Sequence, residues 1–252
     1  MSMRLAVVVP ALNEAAGITA TLEALRDQVD KDFDLVIVDN GSSDGTDQLV
    51  LGLAERWGEG RWRLVREAVK GTGAAADTGM RAAIAAGATH LARTDADCLP
   101  PSEWTARVRV AFATGDELVA GRLVPRRDDL PVSPVRDGVL RAAVWLASAF
   151  GRFRPGNRDA GYLGPYVMTP GCNMAITAQL YERAGGFPRT AIEDVHEDRA
   201  LVNAVRRLTT AYGAHPDVVV AASTRRAHAW GLVRTLAWYA DHRYRPEVVD
   251  IR

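Results

Sequence analysis

A chain of 252 residues with 31 Lys+Arg, 31 Asp+Glu and zero formal charge can bury a large core without covalent staples, and it lacks the global basic field of a nucleic-acid binder. Cys98 and Cys172 lie far apart and form no CxxC pair, which argues against a zinc site or a disulfide framework. The apolar run in MSMRLAVVVPALNE is shorter than a signal-peptide core and nothing reaches spanning length, so one domain over residues 1–252 in a reducing, cytoplasmic setting is expected.

RLAVVVP predicts a buried strand ended by Pro10, and EAAGITATLEALRDQ a helix with Ile18, Leu22 and Leu25 on one face. FDLVIVDN is a second strand, and GSSDGTDQLVLGLAERW a turn into a second helix that Ser43 or Asp44 would cap. RWRLVREA, GAAADTGMRAAIAAG closed by Gly87, and HLARTDAD continue the alternation. The repeat predicts an α/β fold with a mostly parallel nucleotide-binding sheet flanked by helices, its ligands held beyond the carboxyl ends of the strands. Residues 1 to about 100 would form this Rossmann-like half, and about 101–252 a mixed half for metal and acceptor.

In the second half, PSEWTARVRVAFATG reads as a helix with Pro101 near its first turn and ELVAGRLVP as a strand. A Pro/Arg/Gly-rich insertion from Pro125 to Pro170 holds one amphipathic helix, PVRDGVLRAAVWLASAFGRF. TPGCNMAIT, the helix AQLYERAGGF, the acidic helix start IEDVHEDRALVNAVRR, the strand DVVVAAS and a helix near WGLVRTLAWYADH complete the chain.

Three groups of residues carry chemistry. PALNEA and VDNGSSDGT put Asn13, Glu14, Asp39 and Asn40 side by side, where carboxylates and amides can hold a base and ribose, although such residues also serve as turns and caps. KGTGAAA matches GxGxxA and so mimics a dinucleotide fingerprint, but it follows the third strand rather than the first. Lys70 and the glycines can bring positive charge and open backbone to a nucleotide, or simply let a helix pack closely. Asp95 and Asp97, two apart on an extended backbone, share one face. Solvent, basic neighbours or a cation must relieve their repulsion. Hard Mg²⁺ or Mn²⁺ held by carboxylates and substrate phosphates is one such answer, and a solvated turn is the other. The second acidic cluster, Glu193, Asp194, Glu197 and Asp198, suits a helix N-terminus and could also supply a general base. Arg225 and Arg226 could pair with phosphate, and His228 could ligate metal.

Taken in order, VVVPALNEAAGI, VIVDNGSSDGT, KGTGAAADTGM, RTDADCLPP, GCNMAITAQLYERAGGF and HEDRALVNAVRR resemble the family 2 glycosyltransferases with the A-type glycosyltransferase fold. The resemblance spans about residues 4–208. It implies inverting transfer from a nucleotide-diphosphate sugar to an acceptor hydroxyl, with Mn²⁺ or Mg²⁺. Pro10, Ala11, Leu12, Glu14, Asp39, Asn40, Lys70, Asp77 and Asp95 are then expected around the nucleotide. Asp97 is the expected metal ligand, with His228 beside it, and Gly171, Asn173 and Glu197 belong to the sugar and acceptor side. Asp198, in Glu-Asp-x-x-Leu, is the expected base, and Asp194 is the alternative. Ala76-Asp77 replaces the Arg-Asn common in the family. The Gln-x-x-Arg-Trp signature of processive synthases is absent, which favours single transfer. The acceptor is expected to be a small molecule or lipid-linked. A lipid-linked one at the inner membrane face fits the mix of aromatic, aliphatic and arginine residues in the insertion and tail, and ordinary core packing fits that mix at least as well. A non-catalytic nucleotide binder and a metal-dependent nucleotidyltransferase are the competing classes.

Overall fold

The computed structural model describes residues 3–126, 128, 138, 155–189, 196–231 and 234. The amphipathic helix expected in the insertion, Asp194 with Glu193, and most of the expected C-terminal helix lie outside the described residues.

One seven-stranded sheet organises these residues, in the order β3-β2-β1-β4-β6-β5-β7. β1 (Leu5–Ala11), β2 (Phe33–Asp39), β3 (Trp62–Arg66) and β4 (His90–Thr94) run parallel. Each is followed by a helix: α1 (Ile18–Arg26), α2 (Thr46–Trp57), α3 (Thr72–Ala85) and α4 (Trp104–Ala113). β5 (Leu118–Pro125) pairs in parallel with β7 (Tyr212–Ala222). β6 (Asn173–Thr177) is inserted antiparallel between β4 and β5. It leads into α5 (Ala178–Arg183), and the chain continues through α6 (Glu197–Val205) to β7 and α7 (Arg225–Trp230). The parallel half with a mixed second half is the architecture that the strand-helix alternation predicts.

The pleat of β1 shows why this sheet is stable. Leu5, Val7 and Val9 enter one apolar core with Ile18, Leu22 and Leu25 of α1 and Trp104 of α4. Ala6 and Val8 enter the other with Met80 of α3, Tyr181 of α5 and Leu201 of α6. Burial on both faces explains the continuous apolar run, which a half-exposed strand would not need. Gly79 lets α3 lie on the sheet, since a Cβ there would sit 2.4 Å from Val8 Cγ1 and 2.7 Å from Val38 Cγ2.

Two local expectations are refined. Gly45, in the left-handed region, precedes α2 directly, while Asp44 Oδ1 accepts the Thr46 backbone N–H at 3.0 Å. β7 is also longer than DVVVAAS suggests, because it begins at Tyr212. Pro216 falls within it at a register shift between β5 and β7, where a ladder donor can be missing.

Candidate active site

β1 and β2 end level with each other, Ala11 opposite Asp39. The antiparallel β6 begins where β4 ends, with Asn173 opposite Thr94. These registers bring PALNE, DNGSSDG, DADC and the Gly171-Cys172 turn to one edge of the sheet. The first turn is stitched to the second: Asn13 N–H donates to Ser42 Oγ at 2.9 Å, Ser43 N–H to Asn13 Oδ1 at 2.7 Å, and Glu14 N–H to Thr46 Oγ1 at 2.8 Å. Pro10 and Ala11 are buried at the strand end, and Leu12, Asn13 and Glu14 are half-buried at the crevice. Lys70 is exposed beside it.

Arg93 is the residue that the motifs left unnoticed. It is fully buried on β4, with Nε 3.2 Å from Asp95 and both terminal nitrogens 3.3 Å from Glu197 Oε1, and it lies 5.2 Å from the Phe187 ring centre. One buried guanidinium thus joins the strand-end acids to the acids that open α6. A charged residue in the middle of HLART was the available signal, since an apolar strand carries a charge only where it has partners. Gly171 makes room for this: a Cβ there would stand 3.1 Å from Arg93 Nη1.

Burial raises all three acids of the cluster, and each has offsetting partners. Burial raises the Asp95 carboxyl, and Asp97 and Glu197 add to the rise, while Arg93 opposes it. Burial likewise raises Glu197, against the pull of Arg93. Asp198 is raised by burial too, and the Arg199 and Gly171 backbone N–H groups partly offset that by bonding its charged form. The Arg199 N–H to Asp198 Oδ1 distance is 2.6 Å. A carboxylate whose pKa is raised by burial and whose hydrogen bonds orient it is suited to accept a proton.

Asp97 is one-third exposed, and its Oδ2 lies 3.2 Å from Arg225 Nη2, which is also 3.1 Å from each Glu14 carboxylate oxygen. Asp95 is similarly exposed at 32%. Two hard oxygen donors reaching solvent at a strand end fit Mg²⁺ or Mn²⁺, which commonly take one or two carboxylates and complete their shell with water and phosphate. No group of three or more His, Cys, Asp or Glu side chains arranged for a metal occurs among the described residues. Phosphate oxygens would therefore have to supply the rest. The His228 backbone lies in α7, but its side chain lies outside the described set.

Three expected contacts have other occupations. Asn40, 3% exposed, donates through Nδ2 to the Glu67 and Val69 carbonyls at 3.0 and 2.8 Å and accepts the Gly71 N–H at 2.8 Å. It ties the loop after β2 to the loop between β3 and α3, so its amide is not turned to a nucleotide. Asp77, 1% exposed, accepts from Tyr181 Oη and Arg81 Nε, each at 2.9 Å, and from Arg189 Nη1 at 3.3 Å. It anchors α3 to the segment after α5. Asn173 is completely buried: Nδ2 donates to the Arg122 and Val218 carbonyls, and Oδ1 accepts from Trp104 Nε1. Both its amide protons lock β6 to β5 and β7 rather than reaching a sugar. Asp39 does accept from two backbone N–H groups of its own turn, Gly41 at 3.3 Å and Ser42 at 3.2 Å, and it is nearly buried. Gly73 of KGTG serves close packing, because a Cβ there would meet the Pro188 carbonyl oxygen at 2.3 Å and Glu197 Cβ at 3.2 Å. That disfavours the dinucleotide-fingerprint reading.

A separate cleft of about 580 Å³ lies at the far end of α6, lined by Tyr162, Tyr166 and Arg206 among others. Arg206 stacks 4.0 Å from the Tyr162 ring centre and spends its donors on the Gly164 and Asn157 carbonyls and Asn203. The acidic cluster therefore does not sit in this cleft.

A mostly parallel sheet that collects carboxylates at its carboxyl edge, with a second acidic helix start facing them, is the arrangement of the A-type glycosyltransferase fold. Residues 6–175 match the profile of Glycosyl transferase family 2, and the chain belongs to that family. Glycosyltransferase AglE of Haloferax volcanii is 32% identical over 120 residues, which are 46% of this chain and 38% of that protein. Mannosyltransferase PcManGT from Pyrobaculum calidifontis, solved with GDP-Man and Mn²⁺, superposes with a TM-score of 0.66 at 26% identity, covering 96% of this chain and 63% of that one. S. aureus TarS 1-349, solved with UDP, superposes with a TM-score of 0.64 at 15% identity, covering 93% and 64%. The chain thus spans under two thirds of each of these relatives. No described helix is long and apolar enough to cross a membrane.

Proposed function

We propose that the protein transfers a sugar from a nucleotide-diphosphate sugar to an acceptor hydroxyl, inverting the anomeric carbon in a single, non-processive step. The observation that carries this reading is the pair of acidic clusters joined through buried Arg93. One side suits the donor's diphosphate and the other suits the acceptor. Asp198 takes the acceptor's proton, the freed oxygen bonds to the anomeric carbon from the opposite face, and the carbon–oxygen bond to the diphosphate breaks. The nucleoside diphosphate departs with the bonding electrons. Asp97, with Asp95 beside it, would hold Mn²⁺ or Mg²⁺. When bound, that ion neutralises charge developing on the leaving diphosphate. Arg93 keeps Glu197 and Asp95 in register across the cleft, and Glu14 and Asp39 flank the nucleoside. Support for a divalent ion and a sugar nucleotide comes from PcManGT, which was solved with GDP-Man and Mn²⁺.

The test is a panel of UDP- and GDP-sugars incubated with the protein, Mn²⁺ and simple glycoside or lipid-linked acceptors, with products read by NMR. Nucleoside diphosphate and a product of inverted anomeric configuration are expected. Release of pyrophosphate or of a nucleoside monophosphate-linked product would assign a nucleotidyltransferase instead. Binding of nucleotide without turnover of any donor would assign a non-catalytic binder.

A further inference from the structure

Arg225 reaches the donor crevice because of how β7 ends. Leu99, two residues after Asp97, bridges to Ala221 through both backbone hydrogen bonds, at 2.8 and 3.0 Å. Arg126 adds a bond from Nη1 to the Asp97 carbonyl at 3.1 Å, and its N–H bonds the Ala222 carbonyl at 2.8 Å. The chain leaves β7 beside the Asp95–Asp97 turn, and α7 opens with Arg225 against it. Its Nη2 then faces three carboxylate oxygens: both of Glu14 at 3.1 Å and Asp97 Oδ2 at 3.2 Å.

One terminal nitrogen carries only two hydrogens, so three acceptors cannot all be well served. Nε is taken by Ser223 Oγ at 3.1 Å, and Nη1 has no bond among the described residues. Glu14 is 12% exposed, Arg225 21% and Asp97 33%, so these charges are only partly solvated and offset one another. The guanidinium therefore occupies the side of Asp97 from which a cation would draw its charge.

We propose that Arg225 is the resident counter-cation of the donor site: it neutralises Glu14 and Asp97 until the divalent ion and nucleotide diphosphate arrive, and then turns to the diphosphate. This rests on the donor reading above. A divalent ion at Asp97 competes with Arg225 for the same carboxylate. The planar fork, whose Nη1 makes no bond among the described residues, matches a phosphate once the ion has arrived. The ion alone draws Arg225 off Asp97 and leaves its Nη2 only Glu14, whereas ion and diphosphate together give the guanidinium new acceptors. The device makes cation binding depend on donor binding.

Calorimetric titration with Mn²⁺ alone, and with UDP or GDP at saturating Mn²⁺, reads both halves of the exchange. Arg225→Met is expected to bind Mn²⁺ alone about tenfold more tightly and the nucleoside diphosphate about tenfold more weakly, a change of about 1.4 kcal/mol each way. Arg225→Lys, which keeps the charge without the fork, is expected between the two, and it carries the test if Arg225→Met does not melt cooperatively. An Arg225→Met or Arg225→Lys protein that binds Mn²⁺ alone no more tightly than wild type overturns the proposal while leaving the donor reading intact. Wild-type protein that binds neither UDP nor GDP overturns both.

Discussion

Asp198 and Glu197 are neighbours in the first turn of α6, yet they do different work. Glu197 is turned to buried Arg93, while Asp198 is bonded by backbone N–H groups of Arg199 and Gly171. Asp198→Asn is accordingly expected to keep donor affinity within about twofold while lowering transfer by at least about 100-fold, the scale of a lost general base. Donor titration together with single-turnover rates checks this. If Asp194→Asn alone removes transfer, the base is misassigned. Burial raises the Asp198 pKa, so the acid limb of the rate should lie above the ordinary aspartate range, with activity lost as pH falls through that raised value. A pH–rate profile with its acid limb at the ordinary aspartate value contradicts this. Arg93→Met leaves the largely buried Glu197 and the one-third exposed Asp95 without their shared cation, and about 1–3 kcal/mol of stability should be lost in denaturant melts. At this scale the sequence was informative about carboxylates but did not pair them with their counter-charges. Acids at strand and helix ends have recognisable spacing, whereas the tasks of Arg93 and Arg225 depend on which chain segments meet.

Among the elements, α3 shows where pattern reading reaches its limit. GAAADTGMRAAIAAG is legible as a helix closed by Gly87, whose φ is +91°. Its glycines, however, fit phosphate cradling and close packing equally well until Pro188 and Glu197 are seen against Gly73. Gly79→Val should overpack the α3–sheet contact at Val8 and Val38 and cost about 1–3 kcal/mol, measured by chemical denaturation. Wild-type stability in that variant would mean that α3 shifts freely on the sheet. Asn40 and Asn173 teach the same point. Each lies in a family motif, and each spends its amide on backbone groups from other loops or strands, pairings that local sequence does not reveal. β6 was likewise recognisable as a motif but not as an antiparallel strand, because its direction depends on the route of the long insertion before it.

Across the whole molecule, a charged lattice on the α3 side ties the sheet to the segment after α5. Glu67 accepts from Thr78 and from Arg189 Nη2 at 2.8 Å, and Arg189 and Arg81 both pair with Asp77. The Thr78 hydroxyl, the Val69 N–H and Arg189 overcome burial and hold Glu67 at a pKa of about 2, below the usual 4.5. A depressed carboxyl contributes stability that is present above the unfolded value and lost as pH falls from about 4.5 towards about 2. Glu67→Gln should therefore cost about 1–2 kcal/mol near pH 7, and its melting curve should converge on wild type in that acid window. An equal deficit at both pH values would remove the ionic part of the account. The parallel half of the fold was legible because its strands and helices follow one another in order, while this lattice joins residues more than one hundred positions apart.

The proposed donor site places a metal-bound diphosphate at the Asp95–Asp97 strand end. It is tested most directly by Mn²⁺-dependent release of nucleoside diphosphate from the best donor, compared between wild type and Asp97→Asn. The account predicts release by wild type that is abolished by chelation and reduced at least about 100-fold in Asp97→Asn. Undiminished, Mn²⁺-dependent release by Asp97→Asn would contradict it.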